Sequence, residues 1–414
     1  MTSQTIDRIE NALLIDGTGA PAVADAVVCL RDGLITFAGA AVDAPARRPD
    51  ETVVDASGHS VLPGFIDCHV HAGFDGSASL VARHLQHPAV AAFEAADRLR
   101  LTLDAGVTTV RDLGGLPVGL PDVLRRGLAI GPRVHTAVRL LSHTSGHGDL
   151  RSPCGFDPTA GMSDIVDSPH EVRVAVRGLI RDGADVVKVC ATGGMGSPHD
   201  HPDDEGLTIE EMSAVVEEVA RHGGLPVAAH AQGRQGILNA LRAGVTSIEH
   251  GYGIDDEGVD RLGEQGAFLV PTLSTVFDGI DRATMQPYHY EKKMRWSETT
   301  QVNVGRAIER GARVAMGTDA AVCPHGQNLR ELGHLVKLGM SPMDAIVAGT
   351  ATAARLLGIA DTVGTLEPGR IADLVLCDGD PLASIDRLGD PRNIALVLQS
   401  GTVRKNTLNH PIPS

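Results

Sequence analysis

Between residues 6 and 60 the apolar positions come in short alternating runs broken by glycine and aspartate: IENALLIDGTG, DAVVCLRDGLITFAGA and ETVVDASGHSVLPG. Alternation bounded by turn formers predicts strands, and no helical spacing interrupts it. The same texture returns near the other end, in VGTLEPGRIADLVLCDGDP and IALVLQSGTVRKN. Chain termini often lie close together, so residues 1–60 and 359–414 are expected to combine into one small β-sandwich domain.

Residues 61–358 carry a different rhythm, strand then helix, repeatedly. Strands are predicted at Phe65–His69, Val107–Asp112, Arg133–Leu140, Asp185–Cys190, Pro226–His230, Thr246–His250, Phe268–Pro271 and Arg313–Thr318. Helical stretches such as AVAAFEAADRLRLTLDAG, TIEEMSAVVEEVARHGG and PMDAIVAGTATAARLLG fall between and after them, several closing on glycine. Eight such units favour an α/β fold of the (β/α)8, or TIM, barrel type over a doubly wound sheet. DAGVTTVRD and RAGVTSIEH echo one another as helix end, turn and strand, without amounting to a repeat. Segment 272–291 fits neither pattern and reads as loop or insertion.

Composition narrows the function classes. A formal charge of -16 over 414 residues argues against nucleic acid and anionic lipid as partners. The six cysteines, at 29, 68, 154, 190, 323 and 377, are widely spaced, so neither a disulfide framework nor a zinc ribbon is indicated. The first residues lack the basic-then-apolar run of a signal peptide, and no segment approaches a membrane span. The expectation is a cytoplasmic enzyme on a small-molecule substrate, assembled from identical chains.

In a barrel, catalytic groups sit at the C-terminal ends of the strands. Here strand one ends in His69 and His71, strand four carries Lys188, strands five and six end in His230 and His250, and Asp319 follows strand eight. Residues two apart share a strand face and lie about 6.5 Å apart, so His69 and His71 can approach one ion. Val186, Lys188 and Cys190 likewise share a face, which puts an ammonium among apolar neighbours at considerable cost. Either the lysine head reaches water, or its amine is carboxylated and becomes an anionic ligand able to bridge two metal ions.

Through FIDCHVH, VVKVCATGG, VAAHAQG, SIEHG and GTDA, and through LEPGRIADLVL near the C-terminus, the chain resembles the amidohydrolase superfamily over nearly its whole length. The resemblance implies two divalent metal ions, usually zinc: His69, His71 and Asp319 on one, His230 and His250 on the other, with N-carboxylated Lys188 between. Imidazole and carboxylate ligands suit zinc with a position open for water, and two cations sharing one water lower its pKa towards neutral. Asp319 is then the general base and later the acid. Within the superfamily the likeness is to the imidazolonepropionase-like branch that includes Xaa-Pro and Xaa-Arg/Lys dipeptidases. That implies hydrolysis of an amide bond in a dipeptide or an N-acyl amino acid.

Several further residues are candidates, each beside a plainer reading. In LLSHTSGHGDLRSP, His147 resembles the histidine that contacts the substrate carbonyl in relatives, and His143 is a weaker choice; both also read as loop histidines. Arg234 would grip a substrate carboxylate or lie exposed on its helix, and Tyr252 just beyond His250 is a lesser candidate. Dipeptide-cleaving relatives often carry a tyrosine near Gln232, a departure that bears on substrate range. The acidic and histidine-rich loop 194–206 reads as a polar loop at the barrel mouth rather than a second metal site. Glu249 is expected to point away from His250 in a structural role. Cys68 and Cys190 are expected as core fillers, and Asp112 as an orienting carboxylate or a helix cap. Deaminase, lactonase or cyclic-amidase chemistry on the same scaffold is the nearest rival, and a noncatalytic assembly protein the more distant one.

Overall fold

The computed structural model describes residues 5–76 and 85–408. Eight strands drawn from both chain ends form one sheet, seven along a continuous hydrogen-bonded path and the eighth, Val53–Asp55, paired to the side of Arg8–Leu14. Its seam is antiparallel: His59–Pro63, from the N-terminal part, pairs with Leu374–Asp378, from the C-terminal part. Apolar residues from both ends, among them Ile9, Val28, Val61, Leu374 and Leu396, fill its core. Alternation in the two ends thus cements them together, because each supplies half of one buried surface.

The middle of the chain holds two parallel sheets. One has three strands, Phe65–Val70, Val107–Asp112 and Arg133–Thr136; the other runs through Leu140–Ser142, Val187–Cys190, Val227–Ala231, Ser247–His250 and Phe268–Val270, with Ser163–Ile165 at its edge. Helices separate most successive strands. Pro169–Arg181 buries Val172, Val176 and Leu179 on one stripe, and Ile209–Arg221 starts with a Thr208/Glu211 capping box.

Four details depart from the sequence pattern. The third strand is split: Val138 has φ 65°, so Arg133–Thr136 pairs with Val107–Asp112 while Leu140–Ser142 pairs with Val187–Cys190. Arg313–Thr318 forms no regular strand, yet its backbone bonds to both neighbours: Leu269 N–H donates to Arg313 O (2.8 Å), and Cys68 N–H donates to Met316 O (2.9 Å). Segment 272–291 is not simply loop, since Leu273–Phe277 is a short helix and Pro287 opens the helix Pro287–Glu309. The helical run after residue 342 is two helices, Pro342–Ala348 and Ala351–Leu356, with Thr350 between them out of helical conformation. Among the described residues no helix is long and apolar enough to cross a membrane.

Candidate active site

The Phe65–Val70 strand is buried at every position, and its His69 carbonyl accepts the backbone N–H of Asp319 at 2.7 Å. That bond brings the GTDA segment against the HVH pair. The glycine of GTDA is required there: a Cβ on Gly317 would lie 2.9 Å from His69 Cβ and 2.3 Å from Val270 Cγ1. Asp319 itself has φ 59°, a left-handed conformation of the strained kind found at functional sites. Its Oδ1 lies 3.5 Å from His69 Nε2 and 3.3 Å from His71 Nε2.

Each imidazole is held by one nitrogen. His69 Nδ1 donates to Glu249 Oε2 (2.8 Å), His71 Nδ1 to the Gly114 carbonyl (2.8 Å), and His250 Nδ1 lies 2.7 Å from Thr272 Oγ1. Those bonds leave Nε2 of all three available. His230 is reversed, for its Nε2 donates to the Gly193 carbonyl at 3.0 Å and leaves Nδ1. The rings form a chain, His69 to His250 at 5.1 Å and His250 to His230 at 4.6 Å between centroids. Histidines that bind metals are fixed through their second nitrogen in this manner.

Strict alternation does not produce this arrangement. Ser247 Oγ donates to Glu249 Oε1 at 2.5 Å, so these two share a face, and His250 belongs on the opposite one. A left-handed backbone at His250, φ 71°, turns its ring back towards His69. Glu249 therefore does not point away from the site: it orients His69 and is itself bound by Arg111 Nη2 at 2.8 Å.

Electrostatics follow from burial. His69, His230 and His250 are held well below the ordinary imidazole range, chiefly by desolvation, and so keep a free lone pair. Burial pushes the Asp319 carboxyl up, but the His69 and His71 side chains and Lys188 outweigh it and hold it well below the carboxylate range. His71 is raised, since the Asp319 carboxylate overcomes the burial that lowers it. The field that favours a proton on His71 favours any cation between those two groups.

Lys188 is 2% exposed, and its Nζ has no hydrogen-bond partner among the described residues. Desolvation lowers its pKa. The alternative in which the lysine head reaches water is thereby removed. Among the described residues the group of three donors close enough to hold an ion is His69, His250 and Asp319, whose ligand atoms all lie within 4.8 Å of one another.

The remaining candidates separate. His147 stacks on His230, centroids 4.1 Å apart, and its Nδ1 meets Asp200 Oδ2 at 2.8 Å, so it joins the site. His143 turns back on its own loop, donating Nδ1–H to the Thr144 carbonyl. Arg234 lies on the surface in ion pairs with Asp255 and Glu257, the latter at 3.1 Å, its charge already matched. Tyr252 is fully buried; its hydroxyl is 3.1 Å from Thr272 Oγ1, so it braces the residue that holds His250. Asp112 neither caps a helix nor meets a histidine ring; it accepts the backbone N–H of Ala72 (2.7 Å) and of Gly114 (3.0 Å), the residue whose carbonyl holds His71. Cys68 and Cys190 are buried free thiols. Arg111 escaped sequence reasoning altogether, because a lone arginine in VTTVRD carries no mark of burial.

Parallel strands that end in histidines around one carboxylate gather nitrogen and oxygen donors of the kind that can hold a divalent metal ion. The amidohydrolase family pattern matches residues 60–404, and the chain belongs to that family. Ochratoxinase from Aspergillus niger is 32% identical over 413 residues, covering 95% of this chain and 85% of that protein. Imidazolonepropionase from Brevibacillus brevis is 26% identical, covering 95% of each. Among solved structures, a Xaa-Pro dipeptidase with methionine bound in its active site superposes with a TM-score of 0.86 at 31% identity, covering 96% of this chain and 98% of that one. The protein is a hydrolytic enzyme, and its family generally uses divalent metals.

Proposed function

We propose that this enzyme hydrolyses the amide bond of a small substrate carrying a free carboxylate, a dipeptide or an N-acyl amino acid. The single observation that carries the reading is the meeting of His69, His250 and Asp319 ligand atoms within 4.8 Å beside the partnerless Lys188 amine. Relatives named ochratoxinase and Xaa-Pro dipeptidase support amide chemistry, and the methionine bound in the latter supports an amino acid as the leaving half. The scaffold is read as a (β/α)8 barrel with a terminal β-sandwich. The bonds of Arg313–Thr318 to Leu269 on one side and Cys68 on the other support closure of the two parallel sheets into one ring.

His69, His71 and Asp319 would hold one metal ion, and His230, through Nδ1, with His250 the other. Lys188 would bridge them as a carbamate: its unpartnered amine adds to the carbon of carbon dioxide and releases one proton. Zinc suits this nitrogen and oxygen donor set. The metal pair, when bound, supplies hydroxide near neutral pH and polarises the scissile carbonyl. Asp319 accepts the proton of the attacking water and delivers it to the departing nitrogen. His147, fixed at Nδ1 by Asp200, offers Nε2–H to the carbonyl oxygen as negative charge develops there.

A hydrolysis screen of dipeptides and N-acyl amino acids spanning all C-terminal residues, on zinc-loaded protein, tests this. Turnover of at least one class is expected. Turnover confined to lactones or cyclic imides would replace the reading with its nearest rival.

A further inference from the structure

The polar loop after strand four, GMGSPHDHPDDEG, lies against His147 and is gripped from outside by a helix about ninety residues further on. Asp200, buried at 6% exposure, accepts His147 Nδ1–H (2.8 Å) and Gly194 N–H (2.7 Å) on the same oxygen, Oδ2. Gly194 also sets the floor under the ring, since a Cβ there would sit 2.3 Å from His147 Cε1 and 2.6 Å from Nδ1. Lys292, on the Pro287–Glu309 helix and 8% exposed, sends its ammonium to three carbonyls of this loop: Ser197 (2.6 Å), Gly194 (3.4 Å) and Asp200.

Three carbonyl dipoles aimed at one point repel each other unless a cation sits there, and an ammonium has three protons to satisfy them. Other bonds between helix and loop, Arg295 to Asp203 and Tyr288 Oη–H to the Gly196 carbonyl, are exposed and contribute little. Lys292 is thus the buried tie that closes the turn on which Asp200 and Gly194 face His147.

We propose that the Gly194–Asp200 turn is a bracket for His147, with Asp200 and Lys292 as positioning residues that act on the reaction through that ring. Asp200 takes the Nδ1–H bond and leaves Nε2–H to face the substrate carbonyl, and Lys292 holds Asp200 and Gly194 at the distances that fix the ring over His230. The inference rests on His147 serving the substrate carbonyl, as described under the proposed function. Its geometric half stands without that assignment.

The test has two readouts. In the first, kcat on the best substrate is measured for Lys292→Met, Asp200→Ala and His147→Gln, and for each of the first two combined with the third. Lys292→Met is expected to lose on the order of tenfold and Asp200→Ala on the order of 10²-fold. In the His147→Gln background neither should cost more than about twofold further. A lysine that merely ties helix to loop would instead give multiplying losses, and that result overturns the proposal. The second readout needs no turnover: imidazole ¹⁵N spectra, with the His147 signal assigned by its loss in His147→Gln. A single Nδ1–H signal, shifted by its bond to Asp200, is expected in the wild type, and loss of that shift in Lys292→Met and Asp200→Ala. Unchanged spectra in both variants would refute the bracket even if activity fell. Activity unaffected by His147→Gln would instead sink the carbonyl assignment while the spectra still decide the bracket. Should Lys292→Met fold poorly, Gly194→Ala displaces the ring directly and is expected to shift the same signal.

Discussion

Replacing Arg111 with methionine probes the buried network beneath the site. The guanidinium, with a side chain 2% exposed, donates Nη2–H to Glu249 Oε1 (2.8 Å), Nε–H to the Cys68 carbonyl (2.6 Å) and Nη1–H to Ser247 Oγ (3.2 Å). Glu249 is 0% exposed, and without Arg111 it keeps only His69 Nδ1–H and Ser247 Oγ–H as partners. An ion left buried without its partner costs about 3–5 kcal/mol. The stranded Cys68 carbonyl adds about 1 kcal/mol. Against a total stability on the order of 5–15 kcal/mol, this is a large share. Urea unfolding followed by circular dichroism at constant metal concentration measures it, provided the slope is unchanged. Arg111→Met combined with Glu249→Gln removes both charges, so the double variant is expected to be more stable than the sum of the single losses by at least about 2 kcal/mol. A single-variant cost below about 1 kcal/mol, the range of an exposed pair, would refute the reasoning. So would additive losses.

Asp319→Asn should retain the fold and lower kcat by 10² or more, roughly 10²–10⁴ being the usual worth of a general base; kcat within about tenfold of wild type would remove it as proton shuttle. Dialysis against a chelator is expected to abolish hydrolysis, and zinc with bicarbonate to restore it in the wild type but not in Lys188→Met; intact activity in metal-free protein by elemental analysis would contradict the site. Glu331, which accepts the backbone N–H groups of Leu273 and Ser274, is pushed up to about 7 by burial. The folded state then binds its proton more tightly than the unfolded one. Its contribution is fully present below about 4.5 and is lost as pH rises through about 7. Glu331→Gln should therefore be less destabilising, relative to wild type, at pH 8 than at pH 5, as read from denaturation midpoints; an equal penalty at both values would show that Glu331 titrates normally.

The six residues expected at the strand ends were legible because each stands at a position that period and turn chemistry define. His69 and His71 follow an apolar run, Lys188 sits in one, and His230 and His250 each close one. Arg234 and Tyr252 were misplaced for the converse reason. A basic side chain at a helix start reads the same whether it faces a cleft or, as here, Asp255 and Glu257. A tyrosine two residues beyond a histidine gives no sign that its hydroxyl ends against Thr272. The third and eighth strands were found but not their form, since Val138 breaks one and the other bonds through scattered backbone groups rather than a regular ladder.

By itself the sequence determined the succession of strand and helix, the pairing of two β-rich ends, and the residue types at the ends of the strands, because these depend on local periodicity and on what burial permits. Tertiary structure alone decided which nitrogen of each imidazole is free, that Glu249 and Arg111 stand behind His69, and that Asp200 and Lys292 stand behind His147. Those contacts join residues from 53 to 180 positions apart. Left-handed backbone turns the His250 ring against the alternation that a strand pattern predicts, and the same conformation at Asp319, beyond its strand, accompanies a carboxylate 3.3 Å from His71 Nε2. Local propensity holds no record of a turn imposed by the packing of distant strands.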